Sequence, residues 1–390
     1  MSLLYAHRAR PFKGLAAFAN TGADTAPSQA ALLLSMGNQL RGGGAPLRAR
    51  AAALKRKGFV AAEPAEPESA FPVPRLRGFD GRVPFEGSRA RLARLHAYKP
   101  RLRAATLSET PHYEGAYRDC AERVFAKPLA AHAADLFALC LDHPQALVRI
   151  AAAFASMPLT TKPGHNLRIL VDGTKSGDEL ERALAATGLA RTYPEHPALR
   201  RLSRGRTAPR VKQPRETLML IHGTWASDQP WYQPGGDFFN FIQSKRPDLY
   251  SAADFFKWTG SWSDGARQAA ATSLVQWVAA HSEAGLDLMG HSHGANVILL
   301  ATALGLTMGK ALLLSCPVHV DKYFPDFAKL KKPVYSVRVH FDLVILADGG
   351  GQRFNHPDIK EIVLPIWFDH GASHDPQVWQ GNNLAQKTAL

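Results

Sequence analysis

Cysteine is scarce in this chain. Its 390 residues include three, Cys120, Cys140 and Cys316, widely separated and without a C-x-x-C pair. That argues against a disulfide framework and against a thiolate zinc site. Long apolar runs are missing too: none approaches the roughly 18 residues that a membrane helix needs. The N-terminal MSLLYAHRARPFKGLAAF has no uninterrupted apolar stretch of signal-peptide length. The expectation is a soluble protein of a reducing compartment, the cytoplasm. Acidic residues are short in the first quarter. Residues 1–105 hold 18 Lys/Arg against 6 Asp/Glu, whereas residues 215–390 hold 14 against 16. The formal net charge of +14 therefore sits mainly in an N-terminal arm. That arm has few aromatics for base stacking and no recognised binding motif, so nucleic acid is not an expected partner. Weak contact with anionic membrane is the partner reading that such an arm allows. With 46% hydrophobic and 21% charged residues, the chain can bury an ordinary core.

Four regions follow from pattern. Residues 1–105 carry the breakers GGG (42–44) and AEPAEPESAFPVP (62–74), with helical pieces at PSQAALLLSMGNQL (27–40) and RARLARLHAY (89–98). They read as a basic arm, partly disordered or draped over the rest. Residues 106–205 show apolar residues at three- and four-residue spacing, which predicts helices. An echo recurs there after 33 residues: Leu147-Val148-Arg149 with Ala151–Ala153, then Leu180-Glu181-Arg182 with Leu184–Ala186. It resembles the second helix of HEAT-like repeats. Residues 206–216 form a basic linker. Residues 217–390 alternate short apolar strands (TLMLIH, ADFFKWT, LDLMG, KALLLSCPV, PVYSVRVHF, EIVLPIWF) with helices (266–282, 295–306). That alternation predicts an α/β domain with a mostly parallel, helix-covered sheet.

The chemistry is expected in LDLMGHSHGAN (286–296). A G-x-S-x-G between a strand and a helix demands a strained turn that lifts the Ser292 hydroxyl above the sheet's carboxyl edge. Gly290 and Gly294 let the two backbones crowd together. The amide of His293 then stands at the helix N-terminus, where an oxyanion would develop. His291 and His293 flank the serine too closely to act as its base. His-x-His alone lacks the ligands of a metal site, so no metal and no cofactor are expected.

A second motif, IHGTWASDQPWYQPGG (221–236), follows the strand TLMLIH. The two motifs together resemble the α/β-hydrolase superfamily, more narrowly bacterial esterase/lipase-like proteins with H-G-T-W and G-H-S-H-G segments. The resemblance spans about residues 215–390, under half the chain, and its motifs speak for fold and triad more than for substrate. It implies a second oxyanion amide at Thr224, 68 residues before Ser292 (292 − 224), and a pocket near His222, Gly223, Trp225 and Trp231. It also implies the chain order Ser–Asp–His. Asp342, at the end of VYSVRVHF, is the first choice of acid. Asp348, before three glycines, reads as a turn former, and Asp321 is the third choice. The base is expected just before the helix that Asp375-Pro376 starts, with His374 preferred and His370 the alternate.

The implied activity is hydrolysis of a small-molecule or lipid carboxylic ester through a Ser-His-Asp triad and an acyl-enzyme. Thioesterase or acyltransferase chemistry would use the same triad. A non-catalytic scaffold on the same fold and a membrane-associated binding protein are the rival classes.

Overall fold

The computed structural model describes residues 26–41, 76, 110–160, 163–202, 218–281, 285–319, 322–331 and 333–390. Most of the basic arm, the linker 206–216 and Asp321 lie outside them. Helices come first: α1 (Ala26–Leu40), α2 (Thr110–Ala126), α3 (Ala130–Cys140), α4 (Ala146–Ser156), α5 (Gly164–Gly173), α6 (Glu179–Thr192) and α7 (Pro197–Leu202). Alternation follows: β1 (Leu218–Ile221), α8 (Asp237–Lys245), α9 (Asp264–His281), β2 (Asp287–His291), α10 (His293–Ala303), β3 (Ala311–Leu314), β4 (Val334–Arg338), α11 (Leu343–Asp348), β5 (Ile359–Val363), α12 (Pro376–Gly381) and α13 (Leu384–Lys387).

The five strands form one parallel sheet in the order β1-β2-β3-β4-β5. Alternate side chains go to opposite faces, as strand geometry requires. Met219, Ile221, Leu288, Ala311, Leu313 and Val334 pack on one side with α9 and α10. Leu218, Leu220, Met289, Leu312, Leu314 and Val337 pack on the other with α8, α12 and α13. A sheet covered on both faces has strands that read as apolar runs, which is why five of the six expected strands are present. The sixth is not. Residues 253–259, ADFFKWT, pair with no strand. They run beside the sheet, where Phe256 and Trp258 are buried and the Trp258 indole donates to the His222 carbonyl at 2.8 Å. Alternation of aromatics there reflects packing, and the backbone contact beside β1 is a single bridge, Leu218 to Leu249.

The helical part has its own logic. α3–α4 and α5–α6 are successive helix pairs, and α4 and α6 begin 33 residues apart (179 − 146). The echoed arginines do the same job in each. Arg149 donates to the His143 carbonyl at 2.6 Å and Arg182 to the Ser176 carbonyl at 2.7 Å. Each thereby ties the start of its helix to the turn before it. α6 also starts on an N-cap, the Asp178 carboxylate accepting the Glu181 amide at 2.9 Å.

Residues 27–40, expected within a draped arm, are instead a buried helix of this core. α1 lies against α4 so closely that a Cβ on Gly37 would stand 2.6 Å from the Ala155 Cα. The helical core extends onto the α/β part. Phe341, Leu343, Leu346 and Ala347 belong to the same buried cluster as the helices. Asn38 donates to the Leu346 carbonyl at 2.7 Å, and Arg191 donates to the Ala347 carbonyl. Helix α11 thus has two of its C-terminal carbonyls capped by side chains from α1 and α6.

Candidate active site

The β2–α10 turn is strained in the way that its sequence requires. Ser292 sits at φ 53° and ψ −130°, a conformation that L-residues avoid. Neighbours hold it there. Its amide donates to the Leu314 carbonyl at 2.7 Å, and its carbonyl accepts the Ala295 amide at 3.0 Å. A Cβ on Gly290 would stand 2.7 Å from the Ala295 nitrogen, and one on Gly294 2.4 Å from the His222 carbonyl oxygen. Both positions are closed to any side chain. Gly223 lies directly against the Ser292 Cβ, 2.8 Å from where its own Cβ would be.

Ser292 opens on a cavity of about 610 Å³, its open mouth included. His293, His370, Asp348, Thr224 and Trp225 line it from the α/β side. The opposite wall comes from α6, where Glu179, Ala183 and Thr187 recur every four residues on one helix face, with Arg182 beside them. Trp225 and Trp262 line the cavity and pack against the helical core.

Among the described residues the Thr224 amide finds no backbone acceptor, and its buried hydroxyl has no partner. The His293 amide heads α10, where no carbonyl of the helix can take it. The next amide, Trp225, is already spent on the Gly260 carbonyl at 2.9 Å.

The two candidate bases part company. His370 Nδ1 meets Asp342 Oδ2 at 2.7 Å. The other Asp342 oxygen accepts the amides of Val344 and Ile345 at 2.9 and 3.0 Å, capping α11. Gln352 brackets the Asp342 backbone on both its N–H and its carbonyl. Burial pulls the His370 pKa down, but the charge and hydrogen bond of Asp342, with the charges of Glu179 and Asp369, together outweigh it and the net shift is upward. His374, the preferred candidate in sequence, is turned away. Its ring stacks on Trp231 at 4.3 Å, its Nε2 is buried without a hydrogen bond, and burial lowers its pKa to about 3.

Two pocket assignments also change. Trp231 stacks on His374 and meets His291 and Phe238 edge-on in the core of the opposite sheet face. His222 is fully buried as a pillar under the turn, stacked on Trp258 at 5.6 Å, with its Nδ1 on the Gly223 carbonyl at 2.8 Å. Burial lowers its pKa to about 4. His291 bonds the His370 carbonyl through Nε2 at 3.2 Å and so fixes the loop that presents that residue.

Asp348 is no mere turn former. Its carboxylate is buried and accepts His293 Nε2 at 3.1 Å and His319 Nε2 on the other oxygen. Burial alone would raise its pKa; the two imidazoles hold it well below the carboxylate range. His293, His319 and Asp348 are residue types that can bind a metal, and their ligand atoms lie within 4.8 Å of one another. The hydrogen bonds favour another arrangement. The Asn296 side-chain nitrogen donates to the Pro317 carbonyl at 2.9 Å and faces His293 Nδ1 at 3.0 Å. An amide nitrogen can only donate, so Nδ1 carries the lone pair and Nε2 the proton that Asp348 accepts. A metal would need that nitrogen bare. The sequence offered no local signal for this cluster, since His293 and Asp348 are 55 positions apart.

Compared with models of known families and with characterised proteins, the chain finds no significant match. Among the described residues, no helix is long and apolar enough to cross a membrane.

Proposed function

We propose that the chain is a serine hydrolase of the α/β-hydrolase type that cleaves carboxylic esters. The observation that carries this reading is the Asp342–His370 pair at 2.7 Å, with His370 and the strained Ser292 both lining one cavity. Asp342 holds the His370 tautomer with Nδ1 protonated and leaves Nε2 as the base. In the proposed reaction the Ser292 hydroxyl attacks the ester carbonyl and gives its proton to His370. The amides of Thr224 and His293 stabilise the oxyanion. Collapse breaks the ester C–O bond, and His370 returns the proton to the leaving alcohol. Water then attacks the acyl-serine by the same proton path. The paired helices before the linker, HEAT-like in their sequence echo, serve this site as its far wall. The three free thiols suit a reducing, cytoplasmic setting.

The test is labelling by a fluorophosphonate together with turnover of p-nitrophenyl esters of increasing chain length. Wild type should label and turn over. Ser292→Ala should keep its fold and lose both. Wild-type rates in that variant would place the chemistry elsewhere, and an unlabelled, inactive wild type would favour the non-catalytic scaffold.

A further inference from the structure

Helix α11 carries a carboxylate at each end: Asp342 caps its start and Asp348 is its last residue. Each receives an imidazole from beside the nucleophile. Asp342 takes His370; Asp348 takes His293, the residue after Ser292. The second pair is the more heavily tied. The His293 ring is held at both nitrogens, by Asp348 at 3.1 Å and by Asn296 at 3.0 Å. Asp348 is anchored in turn by His319, and Asn296 by the Pro317 carbonyl and the Cys316 thiol. A largely buried carboxylate with both oxygens occupied is costly unless every partner is in place. A turn needs none of this. What the arrangement does is immobilise the one residue whose amide follows a nucleophile held in a strained conformation.

We infer that Asp348 is a positioning residue for the oxyanion side of the site: through His293 it fixes the Ser292–His293 peptide so that its N–H points at the developing oxyanion. The inference rests on the serine hydrolase reading above. It separates the roles of the two carboxylates on one helix. Asp342 serves the base, and Asp348 serves the electrophile's oxygen.

The experiment compares wild type, Asp348→Asn and Asp342→Asn in the full chain, on a p-nitrophenyl ester and with a trifluoromethyl ketone. The Ser292 oxygen adds to that ketone's carbonyl while its proton passes to His370, which leaves the hemiketal oxygen in the oxyanion position with no leaving group to expel. In Asp348→Asn one acceptor becomes a donor facing a donor. The kcat should fall about 10- to 100-fold, part of the 10²–10³ seen when an oxyanion donor is lost outright, with KM nearly unchanged. The ketone should weaken by the same factor as kcat/KM. The acid limb of the pH–rate profile should not move, whereas Asp342→Asn should shift it. Intact turnover in Asp348→Asn, a loss confined to KM, or a shifted acid limb overturns the proposal. If Asp348→Asn does not fold, Asn296→Ala and His319→Ala take its place. Both must show the kcat and ketone losses, and His319→Gln, which can still donate to Asp348, must recover them; failure of any of these also overturns it. Full turnover in Ser292→Ala sinks the hydrolase reading and this proposal with it. Turnover lost in Ser292→Ala but intact in Asp348→Asn sinks the proposal alone.

Discussion

His370 and His374 lie four residues apart in one loop, and their environments push their pKa values in opposite directions. Asp342, helped by the charges of Glu179 and Asp369, raises His370 against the pull of burial, whereas burial and the charge of His370 take His374 to about 3, although its Nε2 lies 3.8 Å from the Glu179 carboxylate. A base works only when neutral, so activity should rise with pH through a midpoint above the ordinary histidine value of about 6.5. Asp342→Asn should lower that midpoint and cut kcat by about 10⁴, the cost of the same change in serine proteases. His370→Ala should abolish turnover, whereas His374→Gln should leave kcat within a few-fold and lower the melting temperature. A dead His374→Gln beside an active His370→Ala would reverse the roles. Sequence could not make this choice. It placed a helix start at Asp375-Pro376, and Asp375 does accept the Gln377 amide at 2.7 Å. Which histidine faces the acid depends on Trp231, 143 positions before His374 in the chain, taking one ring into a stack. Asp348 was illegible for the same reason: three glycines after it look like a turn, and its partners arrive from the start of α10 and from the loop after β3.

Elements were more legible than partners. The G-x-S-x-G stretch dictated its own strand, turn and helix, because only glycines tolerate the approach of β2, α10 and the His222 carbonyl. Gly294→Ala tests that at the level of the element. Its methyl would stand 2.4 Å from the backbone oxygen of His222, the residue just after β1. A backbone cannot give way as a flexible side chain can, so the variant should lose at least the 1–3 kcal/mol typical of overpacking and should misplace Ser292. Chemical denaturation and fluorophosphonate labelling should both report it; a wild-type midpoint with wild-type labelling would show that the elbow is looser than its geometry. The failures at this scale are equally physical. ADFFKWT has the composition of a strand, but its aromatic side chains were claimed by packing before its backbone was claimed by pairing. α1 looked isolated because its partners begin more than a hundred residues later, at α4.

At the scale of the whole molecule, the helical part is structurally inseparable from the candidate site. It buries Leu343, Leu346 and Ala347 of α11, caps that helix through Asn38 and Arg191, and supplies the cavity wall that bears Glu179 and Thr187. A six-residue helix has too few internal hydrogen bonds to hold two carboxylates in register by itself. On the proposed hydrolase reading, the helices should therefore affect turnover without touching the reacting atoms. Arg191→Ala should lower kcat several-fold while leaving the helical content intact, since the arginine's loss frees a carbonyl next to Asp348. The isolated segment 215–390 should be insoluble or markedly less stable than the full chain. Removing the helices exposes apolar surface worth roughly 25 cal/mol per Å² and uncaps α11 in the same stroke. Circular dichroism melts and ester kinetics on the segment and the full chain would decide. A monomeric segment with unchanged melting temperature and kinetics would mean that the contacts to α11 carry no energy, and that the helical part is an independent arm that happens to rest there.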